Sequence, residues 1–259
     1  PGKSRALNAA VAASSHADVC LFTDDDVRFP PHWVSGMCGP ILAGRADAVA
    51  GGVRLAPHLL RAWMEPLHRS WLASTEMMDP ADPQNMVGAN MAVSRRVFER
   101  VPQFDPALGP AGTGAGEDLL FSWQLKRAGY RVAAALDVAV EHHFQPHRLG
   151  RPHFLRMAEN RGRTSAYLAH HWVHEPPLGT RWRCLRQNLR LALHRARRRR
   201  RWPHTEGMPE WEMVMVEQLW HFRQSLVERC RPKRHDHRGL APVRSDEGGA
   251  ASDAVPSTT

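Results

Sequence analysis

Three things are scarce or missing in these 259 residues: paired cysteines, a long apolar run and acidic charge. The four cysteines, Cys20, Cys38, Cys184 and Cys230, are scattered with no CxxC spacing. That argues against a zinc ribbon and a disulfide scaffold and fits a reducing cytoplasm. No apolar stretch approaches the ~20 residues that cross a bilayer, and no basic-then-apolar leader opens the chain, so a soluble or peripheral protein is expected. Asp and Glu (26) are outnumbered by Lys and Arg (35), leaving a net charge of +9, much of it after Arg148. Such an excess points to an anionic partner: nucleotide phosphate, a membrane surface or nucleic acid. With 42% hydrophobic residues the chain can still bury one sizeable core and a small second unit.

The patterning predicts an α/β protein. Ala6 to Val11 reads as a helix feeding the short buried strand Val19 to Phe22. Pro30 and Pro31 suit the start of a helix carrying Val34, Met37, Ile41 and Leu42, which Gly44 ends, and a strand from Ala48 to Val53 follows. Further helical patterns lie near Leu59 to Leu72, Arg95 to Arg100 and Asp118 to Ala128, with a Gly/Pro-rich loop from Pro102 to Gly116 between the last two. Alternation of this kind favours a sheet covered by helices over 1–150. Over 151–230 only helices are predicted: Phe154 to Trp172, Trp182 to Arg200 and Trp211 to Val227. The polar stretch 231–259 reads as a disordered tail. Because the first residue is Pro1 and the first segment is already a helix, an upstream piece is expected to be missing.

Two acidic clusters carry the chemistry. Asp24, Asp25 and Asp26 follow the first strand directly, and ligands of open α/β sheets bind at the carboxyl ends of strands. Three adjacent carboxylates repel one another, a cost that a divalent cation offsets; hard oxygen ligands suit Mg²⁺ or Mn²⁺. A merely solvated turn is an equal reading of these three residues alone. Glu117 and Asp118 open a helix, where the macrodipole favours negative charge. By themselves they read as ordinary first-turn acids; beside a mobile glycine-rich loop, such a carboxylate could also take a proton from a hydroxyl.

The stretches GKSRALNAA, FTDDDVRFPPHWV, GANMAVSRRVFERVPQFD, GEDLLFSWQLKRAGYRV and DVAVEHHF occur in that order. Together they resemble glycosyltransferase family 2 proteins over Gly2 to Phe144. The resemblance implies a GT-A-like (Rossmann-like) mixed sheet flanked by helices, with the helical appendage behind it. It implies an inverting transfer of a sugar from a UDP-, GDP- or dTDP-sugar to a hydroxyl acceptor: a lipid-linked glycan, a polysaccharide or a small molecule. Asp24 and Asp26 match the DxD positions and, with His142, the expected ligands of Mn²⁺ or Mg²⁺; His143 is the register alternative. Asp118, or in second place Glu117, matches the general base. Lys3, Arg5, Asn8, Asp24, Asp25 and Asn90 match positions beside the nucleotide sugar. The family's opening βαβ stretch is absent, and Ala128 departs from the QxxRW pattern that Gln124 and Arg127 suggest, so a processive synthase is not expected.

Trp182, Leu185, Leu189 and Leu193 recur at helical spacing among Arg181, Arg183, Arg186 and Arg190, ahead of the run Arg197 to Arg201. This basic amphipathic helix suits docking on the catalytic domain with its arginines in water or, through Arg181 to Arg201, an anionic membrane surface. Nucleic acid ranks third, since no nucleic-acid motif accompanies the charge. His170 and His174 lack the Glu of HExxH. A non-catalytic basic binding protein that retains a degenerate GT-A domain is the alternative to the enzyme.

Overall fold

A computed structural model describes residues 2–83, 85–101, 103–198 and 202–236. Pro1, Gln84, Pro102, Arg199 to Arg201 and 237–259, most of the expected tail, lie outside the described residues.

The expected sheet flanked by helices is present, with five strands among the described residues: β1 (Val19–Thr23), β2 (Val27–Arg28), β3 (Ala48–Leu55), β4 (Asn90–Ser94) and β5 (Val132–His142), in the order β1-β4-β3-β5-β2. β3 and β5 pair in parallel, β4 runs antiparallel between β1 and β3, and β2 runs antiparallel on β5. The carboxyl ends of β1, β3 and β5 therefore share one edge, where the Asp24 to Asp26 turn, Leu55 and His142 meet.

β3 reads AVAGGVRL and is buried except at Arg54, as a central strand covered on both faces must be. Its pairing jumps from Gly51↔Ala135 to Gly52↔Ala139, so Leu136 to Val138 bulge out of β5. A Cβ on Gly52 would lie 2.3 Å from the Leu136 carbonyl oxygen, which explains the glycine there.

Seven α-helices are described: α1 (Lys3–Ala13), α2 (Trp33–Leu42), α3 (Pro66–Trp71), α4 (Glu117–Arg127), α5 (Arg151–Leu168), α6 (Arg181–Arg198) and α7 (Glu210–Glu228). α2 lays Met37 and Ile41 on Val49, Ala135 and Val138 on one sheet face. On the other face, Val11 of α1 and Phe121 and Leu125 of α4 close over Phe22, Ala50, Met91 and Val93. A third cluster joins Leu55, Trp71 and Phe144 to Phe154, Leu191, Met213 and Leu219, so the appendage helices complete a core that the sheet region begins.

Three expectations need correction. The helix over Leu59 to Leu72 is a 3-10 turn at Pro57–Leu59 followed by the short α3. Pro66 forces Glu65 into an extended conformation (φ −81°, ψ 164°), which interrupts the helix and restarts it with a Glu65–His68 capping box. Arg95 to Arg100 is likewise 3-10 (Arg95–Glu99). Residues 231–236 are not detached: His235 stacks on Trp172 with ring centroids 3.8 Å apart.

Candidate active site

The turn after β1 and the first turn of α4 meet across Lys3. Its Nζ lies 2.7 Å from Asp24 Oδ1 and 3.7 Å from Glu117 Oε1. Burial works against the lysine charge, but Asp24, Glu117 and Asp118 together hold its pKa above the usual value. The Glu117 side chain is almost fully buried; that burial and then the like charge of Asp118 raise its pKa, against the pull of Lys3.

Asp118 is better placed to meet a substrate. Its Oδ2 accepts the Gly88 amide at 3.1 Å and its Oδ1 the Leu119 amide at 2.8 Å. Two backbone donors orient the carboxylate and leave each oxygen a second lone pair. Asp118 is only partly buried, and Gly88 leaves the space beside it and Lys3 free of a side chain.

Asp26 forms the other half of the site. Its Oδ1 lies 3.3 Å from His142 Nε2 and its Oδ2 accepts Arg148 Nη1 at 3.3 Å. His142, at the last position of β5, is buried, and its Nδ1 lies 3.0 Å from the Leu72 carbonyl oxygen. A carbonyl only accepts, so Nδ1 carries a proton; in the neutral ring the Nε2 lone pair then faces the carboxylate. Two acceptors at that separation call for a cation or a proton between them. The backbone carbonyl behind the ring is the kind of support that metal-bound histidines have. His143 is turned instead to Glu141, at 3.1 Å.

No group of three His, Cys, Asp or Glu able to hold a metal occurs among the described residues. Asp24, expected as a ligand beside Asp26 and His142, is taken up by Lys3. Of the three expected ligands, Asp26 and His142 stand side by side.

Other expected donor contacts are spent within the fold. Asn90 is fully buried: its Oδ1 accepts Trp33 Nε1 at 2.9 Å, and its Nδ2 donates to the Gly52 and Val138 carbonyls at 2.8 Å each. The amide bridges the bulge where the β3–β5 ladder is broken, and so does not reach a sugar. Asn8 clamps α1 to the loop that precedes α4, donating to Phe104 O at 2.8 Å and accepting from Phe104 N at 2.9 Å. Arg5 is exposed on α1, and Asp25 lies in the turn.

Arg148 was not singled out from the sequence. It reaches Asp26 from a 3-10 turn (Pro146–Leu149) and packs its guanidinium 4.9 Å from the centre of the Phe144 ring. Its Nε is buried without a partner among the described residues. A cation four residues beyond the HHF stretch was the only signal, and spacing alone does not aim it. The glycine loop is also not the mobile element expected. A Cβ on Gly114 would lie 2.1 Å from Asn160 Cγ, and Thr113 Oγ1 meets Thr164 Oγ1 at 2.8 Å, so the loop is packed onto α5.

Beyond that loop lies a groove of 560 Å³ between it, α5 and α7, with Arg163, Arg223, Arg231 and Arg234 in its walls. It shares the loop with the acidic site but not its carboxylates.

No curated protein matches the chain. Among solved structures, GalNAc-T7 with UDP, GalNAc and Mn²⁺ is 14% identical, with a TM-score of 0.44 over 88% of this chain and 43% of that one. The mannosyltransferase PcManGT from Pyrobaculum calidifontis, in complex with GDP-Man and Mn²⁺, is 15% identical, with a TM-score of 0.41 over 88% and 53%. The chain thus spans about half the length of these structures. Residues 1–101 match the family model described as Glycosyl transferase family 2, a stretch that includes Lys3 and the Asp24 to Asp26 turn and ends before Glu117, Asp118 and His142. Over that stretch, the chain is similar to glycosyl transferase family 2.

Proposed function

We propose that the protein transfers a glycosyl group from a nucleotide sugar to an acceptor hydroxyl, with inversion at the anomeric carbon. The observation that carries this reading is the meeting of the two acidic clusters across Lys3, beside Asp26 and His142. Asp118 takes the proton of the acceptor hydroxyl as its oxygen bonds to the anomeric carbon; the bond from that carbon to the diphosphate breaks on the opposite face, and the nucleoside diphosphate leaves. Backbone amides hold the Asp118 carboxylate in place, and the buried Glu117 keeps Lys3 beside it. Asp26 and His142 would hold Mn²⁺ or Mg²⁺, which supplies Lewis-acid neutralisation of the leaving diphosphate. Lys3 and Arg148 are the cations this chain adds on either side of the turn.

The test is turnover of UDP-, GDP- and dTDP-sugars with Mn²⁺ or Mg²⁺. Asp118→Asn is expected to lower turnover by about 10²-fold or more, as loss of a general base does. Asp26→Ala is expected to abolish the metal response. Turnover unchanged in both variants would sink the enzymatic reading. A second reading, a non-catalytic basic binding protein, has one observation in its favour: Asp24 and Asp26 already have protein cations, Lys3 and Arg148, beside them. Folded protein with no turnover of any of these donors, and with anion binding that Asp118→Asn leaves intact, is what that reading requires.

A further inference from the structure

α6 presents the wrong face to the protein for an ordinary surface helix. Its inward side carries Gln187, which donates to the Met215 carbonyl oxygen at 3.0 Å, and Leu191, buried in the core shared with α7; Arg195 reaches Glu212 at 2.6 Å. These contacts fix the rotation of the helix. The result is that Trp182, Leu185, Leu189 and Leu193 face solvent, with 66%, 51%, 61% and 47% of their surface exposed. Their spacing, i, i+3, i+7 and i+11, makes one stripe along the outer surface. A soluble surface helix puts its large apolar residues inward, so a continuous outward stripe marks a contact with something else.

The charge around the stripe says what. Arg186 and Arg190 follow Leu185 and Leu189 by one residue each, and with Arg183 and Arg197 they form an exposed basic flank to the stripe, with Arg181 on the other side. No Asp or Glu occurs in residues 176–205. No helix among the described residues is long and apolar enough to cross a membrane, so this face would lie on a surface and not span it. Two copies of the face would bring like charges together with no acid to offset them, which disfavours self-association. An anionic bilayer matches both features: acyl chains take the leucines and the tryptophan, lipid phosphates take the guanidinium groups, and the long arginine stems allow both at once.

We propose that the outer face of α6 docks the protein on an anionic lipid surface, with Trp182, Leu185, Leu189 and Leu193 entering the interface and Arg183, Arg186, Arg190 and Arg197 meeting the headgroups. This does not depend on the glycosyl-transfer reading, since its readout is not activity.

The test is co-sedimentation of the full chain with vesicles of phosphatidylcholine alone or containing roughly one-third phosphatidylglycerol. Pelleting is expected with the anionic vesicles only. It should weaken as salt rises from about 0.1 M to about 1 M and the screening length falls from ~10 Å to ~3 Å. The triple variant Arg186→Gln, Arg190→Gln, Arg197→Gln is expected to lose about fivefold in partitioning per arginine. The pair Leu185→Ser and Leu189→Ser, both at exposed positions, should also lose binding while its unfolding transition stays that of the parent. Several results would overturn the proposal: no pelleting, equal pelleting with neutral vesicles, or indifference to either variant. A concentration-dependent dimer that the leucine pair dissolves would make the stripe an interface between copies. Retention on nucleic acid that needs the arginines but not the leucines would also overturn it.

Discussion

Glu117 is held in a state that costs the fold something. Its pKa lies above the ordinary glutamate value of 4.5, chiefly through burial and then through Asp118. The folded chain therefore binds this proton more tightly than the unfolded one, so the group favours folding fully below about pH 4.5 and that contribution is lost as pH rises through the folded value. Glu117→Gln, which keeps the shape and removes the charge, is expected to raise the melting temperature at pH 7, with the gain fading below about pH 4. Melting curves across that range check it; an equal gain at both ends would mean that charge is not the cause. At this scale the sequence was informative about which residues were acidic and poor about where amides point. Asp24, Asp26, Glu117, Asp118 and His142 sit around one site, whereas Asn8 and Asn90 are used up by backbone groups of Phe104, Gly52 and Val138. An asparagine beside a strand looks the same in sequence whether its amide meets a sugar or closes a gap in a ladder.

Among the elements, the loop before α4 shows how a glycine run can be misread. Gly112, Gly114 and Gly116, with Thr113 and Ala115 among them, suggested mobility, yet α5 lies against the loop. Gly114 has φ +107°, and its missing Cβ leaves room for Asn160. Gly114→Ala is expected to destabilise the protein by about 2–4 kcal/mol, combining a disfavoured backbone conformation with overpacking. Asn160→Ala in the same chain should recover the packing part and leave the backbone part, a separation that urea unfolding of the single and double variants measures. A loop that moves freely would show almost no loss. α3 shows the converse: Pro57 and Pro66 were visible, but the apolar spacing between them outweighed them in a pattern-based reading, whereas the backbone obeys the prolines.

For the whole molecule, the division at residue 150 marks where helix α5 starts and not where the core ends. Leu55, Trp71 and Phe144 are buried with Phe154, Leu191, Met213 and Leu219, while Tyr167 and Trp172 each donate to Asp105 Oδ2 at 2.8 Å. A chain cut after Gly150 would expose that face and leave Asp105 without these donors. It is expected to bind hydrophobic dyes and to melt without a cooperative transition. A monomeric fragment with a sharp melting transition would show that the sheet region folds unaided.

The sequence by itself determined the class of fold and where the acidic clusters stand relative to the strand end and the helix start. Hydrophobic period and punctuation are local properties, and carboxylates next to a strand end or a helix start can be read from order alone. Only the tertiary structure decided that Lys3 stands between Asp24 and Glu117, that Arg148 reaches Asp26, and that Leu185, Leu189 and Leu193 of α6 face outward while Leu191 is buried. Those outcomes depend on strand order, the bulge in β5 and the rotation of one helix against another. They come from packing between segments far apart in the chain, and no local pattern encodes that geometry.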